Sequence, residues 1–141
     1  LVGSEMCIRD RAGLTGSTYY TNHSLVPQNK VVAILNLEQV GVGEMLGANY
    51  HYKYPELAEL SEKANDRYVH RRLFTSETHF LTRPRTDGAV FMKAGYPCID
   101  LWALGGGYYH HPKDNTQSIN PDILRAATEW LYWTTIFIAD K

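Results

Sequence analysis

The chain has 141 residues, 44% of them hydrophobic and 21% charged, and its 14 Lys and Arg against 15 Asp and Glu leave a net charge of -1. This is the composition of one globular domain, or of part of a larger one, and not of a disordered chain, which needs few apolar residues and high net charge. There is no basic excess to meet a run of phosphates, which argues against a nucleic-acid binder, and no apolar stretch approaches the length that spans a bilayer.

The chain opens on Leu1, and its first segment, Leu1 to Arg11 (LVGSEMCIRDR), shows neither a helical nor a strand period. That string resembles a translated sequencing adapter, so residues 1–11 are expected to be a non-native leader and 12–141 the domain proper. Ala12 to Tyr20 reads as a loop running into a short helix, with Ser17 or Thr18 near its start, and Asn22 to Lys30 as a loop holding Pro27. Val31 to Leu37 is a continuous apolar run of the kind that forms a strand buried on both faces; Gly41, Gly43 and Gly47 then break it. Pro55 to Val69 predicts a helix, with Pro55 in its first turn and Leu57, Leu60, Ala64 and Tyr68 on one stripe. Arg71 to Phe80 reads as a strand and loop. Asp87 is the expected N-cap of a short helix through Ala94, ended by Gly95. Pro97 to Leu104 is a second buried strand, Gly105 to Thr116 a loop, and Pro121 to Ile138 a helix with Ile123, Leu124, Ala127, Trp130, Leu131 and Thr134 on one face. Strands alternating with helices give an α/β layered domain.

Two places could carry chemistry. Tyr108-Tyr109-His110-His111-Pro112-Lys113-Asp114 follows a predicted buried strand, where α/β proteins place their site loops. Neutral imidazole is the commonest protein ligand for zinc, and a carboxylate often supports it; solvated histidines on a surface loop fit the same residues. Glu38 ends the first apolar run, where an acid needs a partner or a metal if buried, or is simply the first exposed residue after the strand. The Gly105-Gly106-Gly107 run lacks the residues of a phosphate loop, and no G-x-S-x-G elbow occurs. Cys98 reads as an inert core thiol, and Cys7 with Cys98 cannot build a disulfide framework. His23, His51, His70 and His79 are scattered and read as surface or satisfied side chains.

Gly13-Leu14-x-Gly16-Ser17-x-x-Tyr20, Val32 to Gly41 with Glu38 inside it, Asp87-x-x-x-Phe91-x-x-x-Gly95-Tyr96-Pro97, Tyr109-His110-x-Pro112-x-Asp114-Asn115 and Ser118-Ile119-Asn120 follow one another in that order. The series resembles the C-terminal half of the dinuclear-zinc exopeptidases of peptidase family M28, among them secreted aminopeptidases and glutamate carboxypeptidases. The resemblance implies part of an α/β/α sandwich around a mixed sheet, two zinc ions in the intact protein and a peptide substrate. It places His110 on the last zinc-ligand histidine, Glu38 on a position usually held by an Asp ligand, and Tyr109 on a tyrosine that in some members helps hold the oxyanion. Asp87 falls on a structural Asp at a helix start. Glu38 is one methylene longer than the usual Asp but remains a hard carboxylate that zinc accepts. The resemblance also implies a pair of glutamates, the general base among them, just before Gly13; Asp10 and Arg11 stand there. The earlier His-x-Asp motif and the bridging Asp have no counterpart, so this chain is expected to be inactive alone. Two relatives of the same fold are the alternatives: a single-zinc glutaminyl-cyclase-type acyltransferase, and a non-catalytic ectodomain or interaction module. Family members are mostly exported, which implies a periplasmic or extracellular setting.

Overall fold

The computed structural model describes residues 14–78, 84–106 and 111–140. Their elements in order are α1 (Thr15–Asn22), β1 (Ile34–Glu38), β2 (Met45–His51), α2 (Pro55–Ala64), β3 (Leu73–Thr78), α3 (Asp87–Lys93), β4 (Cys98–Leu104) and α4 (Pro121–Ala139). The strands form one mixed sheet in the order β1-β4-β2-β3. β1 runs parallel to β4 and β2 parallel to β3, while β2 and β4 are antiparallel.

Side-chain alternation along the strands divides the sheet into two unlike faces. Leu46 and Ala48 of β2 and Ile99, Leu101 and Ala103 of β4 point one way and pack against Leu57, Ile123, Ala127 and Trp130 of α2 and α4. Trp130 is fully buried, and its indole N–H donates to the Ser61 carbonyl at 2.8 Å, tying α4 to α2. The other face is covered by α3, which packs on β1 and β4, with α1 beside it. Helices therefore lie on both sides of the sheet, as the α/β/α reading expects.

Local signals set the element ends. Asn120 caps α4, its Oδ1 accepting from the N–H groups of Asp122 and Ile123 at 3.1 and 3.4 Å, with Pro121 in the first turn. The Asn120 amide also donates to the Gly43 carbonyl at 3.0 Å, which anchors the β1–β2 connection to the start of α4. On α4 the buried residues are Ile123, Ala126, Ala127, Trp130 and Thr134; Leu124, expected in the stripe, is 39% exposed.

Four other details differ from the sequence reading. Among the described residues the first run is only half-buried: β1 covers Ile34–Glu38, its one neighbour strand is β4, and Val32, which precedes it, is 74% exposed. Gly47 does not break a strand but sits buried within β2, a strand hidden by its small residues Gly47 and Ala48. The helix over 55–69 is α-helical only to Ala64 and finishes as a π turn over Asn65–Val69, closed by His70 at φ 56°. Finally, Thr86 caps α3 rather than Asp87: its hydroxyl accepts from the Ala89 N–H at 3.0 Å, and Asp87 occupies the first turn.

Candidate functional site

Glu38 closes β1, half-buried, and lies in register with Trp102 of β4. The next residue, Gln39, has φ 49°, a left-handed conformation that costs a non-glycine residue about 1–2 kcal/mol and turns the chain sharply away. Strand alternation puts Asn36 on the same face two residues earlier. Its amide Nδ2 donates to Glu38 Oε1 at 3.0 Å and to Asp100 Oδ1 at 2.7 Å, Asp100 being its register partner on β4. Asp100 is 3% exposed, and its other oxygen accepts from the Thr86 hydroxyl at 2.6 Å.

A polar chain thus runs Glu38, Asn36, Asp100, Thr86, joining β1, β4 and the N-cap of α3. The helix can come this close because residue 88 is glycine: a Cβ there would stand 2.7 Å from the Asp100 carboxyl carbon. Burial raises the Asp100 pKa, the hydrogen bonds from Thr86 and Asn36 pull it back down, and nearby Asp87 adds to the rise. Beside the carboxyl lies a cavity of about 250 Å³ lined by Asn49, Thr78, Arg85, Thr86, Met92 and Asp100.

The sequence reading did not single out Asn36, Asp100 or Thr86. Asp100 did leave a signal, a carboxyl inside the apolar run Pro97 to Leu104, which a buried strand tolerates only with hydrogen-bond partners. Next to it, Trp102 lies over Gly47, and its indole N–H has no partner among the described residues.

Tyr109 and His110 lie outside the described residues, as does His79. β1 and β4 are parallel, so β4 ends at Leu104 at the same end of the sheet as Glu38. Past that segment, His111 is exposed and begins a turn in which its Nδ1 accepts from the Lys113 N–H at 3.1 Å and its carbonyl accepts from the Asp114 N–H at 2.9 Å. His51 is buried and accepts from the Lys53 N–H at 3.1 Å; burial, and then the Lys53 charge, lower its pKa. Cys98 is fully buried, and burial followed by the Asp100 charge pushes its thiol pKa far up, as an inert core cysteine requires.

Among the described residues no three His, Cys, Asp or Glu side chains come together as a metal-holding group. Glu38 has the chemistry of one zinc ligand, and a zinc site draws on three or four protein ligands.

The family model for peptidase family M28 matches residues 10–134. The chain belongs to this family. Among solved structures it is similar to a zinc aminopeptidase from Bacillus subtilis, at 20% identity and a TM-score of 0.74 over 89% of this chain and 33% of that one. It is also similar to the LapA aminopeptidase of Legionella pneumophila, at 16% identity and a TM-score of 0.72 over 94% and 37% of the two chains. Glutaminyl cyclase of Porphyromonas gingivalis shares the fold as well, at 19% identity and a TM-score of 0.60 over 86% and 48%. Among curated proteins no relative matches the chain. The family member described here spans only about a third of the length of the two aminopeptidase structures. Among its described residues no helix is long and apolar enough to cross a membrane.

Proposed function

We propose that this chain is the part of a zinc-dependent exopeptidase that contributes Glu38 and His110 as metal ligands and Tyr109 as a hydrogen-bond donor to the oxyanion. One observation carries the reading: in a chain matched by the M28 family model, a carboxylate ends β1 at the same end of the sheet as Leu104, the last residue of the parallel strand β4, which precedes His110 closely in the sequence. Zinc, two ions in the intact protein, supplies an activated water and a polarised scissile carbonyl when bound. Glu38 and His110 hold the metal. Tyr109 donates to the oxygen on which negative charge develops, an interaction strongest in the transition state. The general base comes from outside this chain, which is inactive by itself. The substrate is a peptide hydrolysed at its terminus, in a periplasmic or extracellular setting.

The test joins this chain to its upstream reading frame, recovered from source DNA, and follows hydrolysis of aminoacyl p-nitroanilides with and without a chelator. Chelation and His110→Ala are both expected to abolish turnover, and Glu38→Ala to reduce it severely. Near-normal turnover by His110→Ala overturns the assignment, and zinc-dependent turnover by the 141-residue chain alone overturns the claim that its base lies elsewhere. The shared fold with a glutaminyl cyclase gives a second reading, which the same protein decides by releasing ammonia from an N-terminal glutaminyl peptide.

A further inference from the structure

Resting on the reading of Glu38 as a metal ligand, we infer that Asn36 and Asp100 are positioning residues: the Asn36 amide fixes the Glu38 carboxylate, and Asp100 fixes the Asn36 amide. Glutamate has one more rotatable bond than the aspartate the family usually places here, so presenting its carboxylate in one orientation costs more side-chain entropy. Asn36 supplies the restraint. It has two amide protons, and both are used, one on Glu38 Oε1 at 3.0 Å and one on Asp100 Oδ1 at 2.7 Å. Chemistry fixes the direction of that amide, because turning it over would aim its carbonyl oxygen at two carboxyl groups that cannot both donate.

Asp100 is held from the far side by Thr86 at 2.6 Å, and Thr86 is itself held by capping α3. The orientation of Glu38 at the sheet's edge is thus referred back to a buried carboxyl on the next strand and to a helix end. A purely structural role for Asp100 needs only the Thr86 contact. The bond to Asn36 is the one that reaches the carboxylate at the end of β1.

The experiment is NMR on the isotopically labelled 141-residue chain without metal, followed by titration with zinc chloride. In the wild type the Glu38 side chain is expected to hold one set of rotamers, with two distinct γ-proton shifts. In Asn36→Ala these collapse to an averaged pair, while the Ala89 amide, which reports the α3 cap, stays in place. Asp100→Asn keeps an oxygen for Asn36 and an amide for Thr86 and is expected to preserve the order; Asp100→Ala is expected to lose it. If Asn36→Ala does not fold, Asn36→Ser, too short to reach both carboxyl groups, gives the same readout. Unchanged Glu38 order in the Asn36 variants overturns the inference, and unchanged order in Asp100→Ala removes Asp100 from it. With zinc, the Glu38 carboxyl carbon is expected to shift, at concentrations on the order of 10- to 100-fold higher in Asn36→Ala. A wild-type carboxyl that is ordered but does not respond to zinc overturns the ligand reading and leaves the positioning result standing.

Discussion

Replacing Gly47 by alanine tests how tightly the polar face of the sheet is packed. Gly47 lies in the middle of β2, directly across from Trp102 of β4. An added Cβ would stand 2.6, 2.7 and 2.9 Å from three ring carbons of that indole, against an ordinary carbon–carbon contact of about 3.5–4.0 Å. The ring must retreat by roughly 1 Å, and overpacking of this kind costs about 1–3 kcal/mol. Gly47→Ala should therefore lower the urea midpoint followed by far-UV circular dichroism, with the slope unchanged. The sign depends on the indole. With Trp102→Leu in the background the clash is gone, and alanine in place of a strand glycine should be neutral or stabilising by about 0.5–1 kcal/mol. The two substitutions should therefore be non-additive by about 1.5 kcal/mol or more, well above the scatter of independent sites. If Gly47→Ala costs the same with and without Trp102, the indole does not constrain that position, and the close packing of β2 on β4 is wrong.

Trp130→Phe should destabilise by about 2 kcal/mol through the lost bond to the Ser61 carbonyl and the volume left behind, read from the same denaturation curves. In a Cys7→Ser background, Cys98 should react with a thiol reagent only at the rate of global unfolding, since it is fully buried and its thiolate is strongly disfavoured. His51 has a lowered folded-state pKa, so between that value and about 6.5 the unfolded chain binds the extra proton. Its contribution is present at neutral pH and is lost as pH falls through about 6.5 toward the folded value. His51→Asn, which keeps an acceptor for the Lys53 N–H, should flatten that part of the stability–pH curve, and an unchanged slope would show that His51 is not its source.

The layered α/β architecture was legible because the long signals are periodic or continuous. The run Pro97 to Leu104 is β4, and Pro121 to Ile138 is α4 to within a residue. β2 was hidden because Gly47 and Ala48 are small for a reason visible only in three dimensions, the indole of Trp102 lying over Gly47. Burial along β1 is uneven because hydrophobicity does not tell how much of a strand its neighbours cover: Leu35 and Leu37 share the apolar face, yet Leu35 packs on the core while Leu37 is 36% exposed. Glu38 stands out as a candidate from its place at the end of a strand. Asn36 and Asp100 could not be linked, since they are 64 residues apart and meet only through the parallel register of β1 and β4.

The division of labour between the two faces of the sheet follows from the same register. The face toward α2 and α4 is apolar and close-packed, with Leu46, Ile99, Leu101 and Trp130 fully buried, and the hydrophobic stabilisation is concentrated there. The face toward α3 carries Asn36, Glu38, Asn49 and Asp100 on adjacent strands, and it spends stability instead. A raised carboxyl pKa means that burial penalises the Asp100 charge more than its two hydrogen bonds favour it. Apolar side chains of similar volume in place of a buried polar cluster often hold a fold as well or better, so stability alone does not call for Asp100 there. What the cluster provides is direction. Hydrogen bonds at 2.6, 2.7 and 3.0 Å allow one arrangement of four side chains, whereas a hydrophobic contact at the same place would allow several. On the proposed reading, a carboxylate presented from the end of β1 needs that restraint, and the apolar face behind it supplies the stability to keep it.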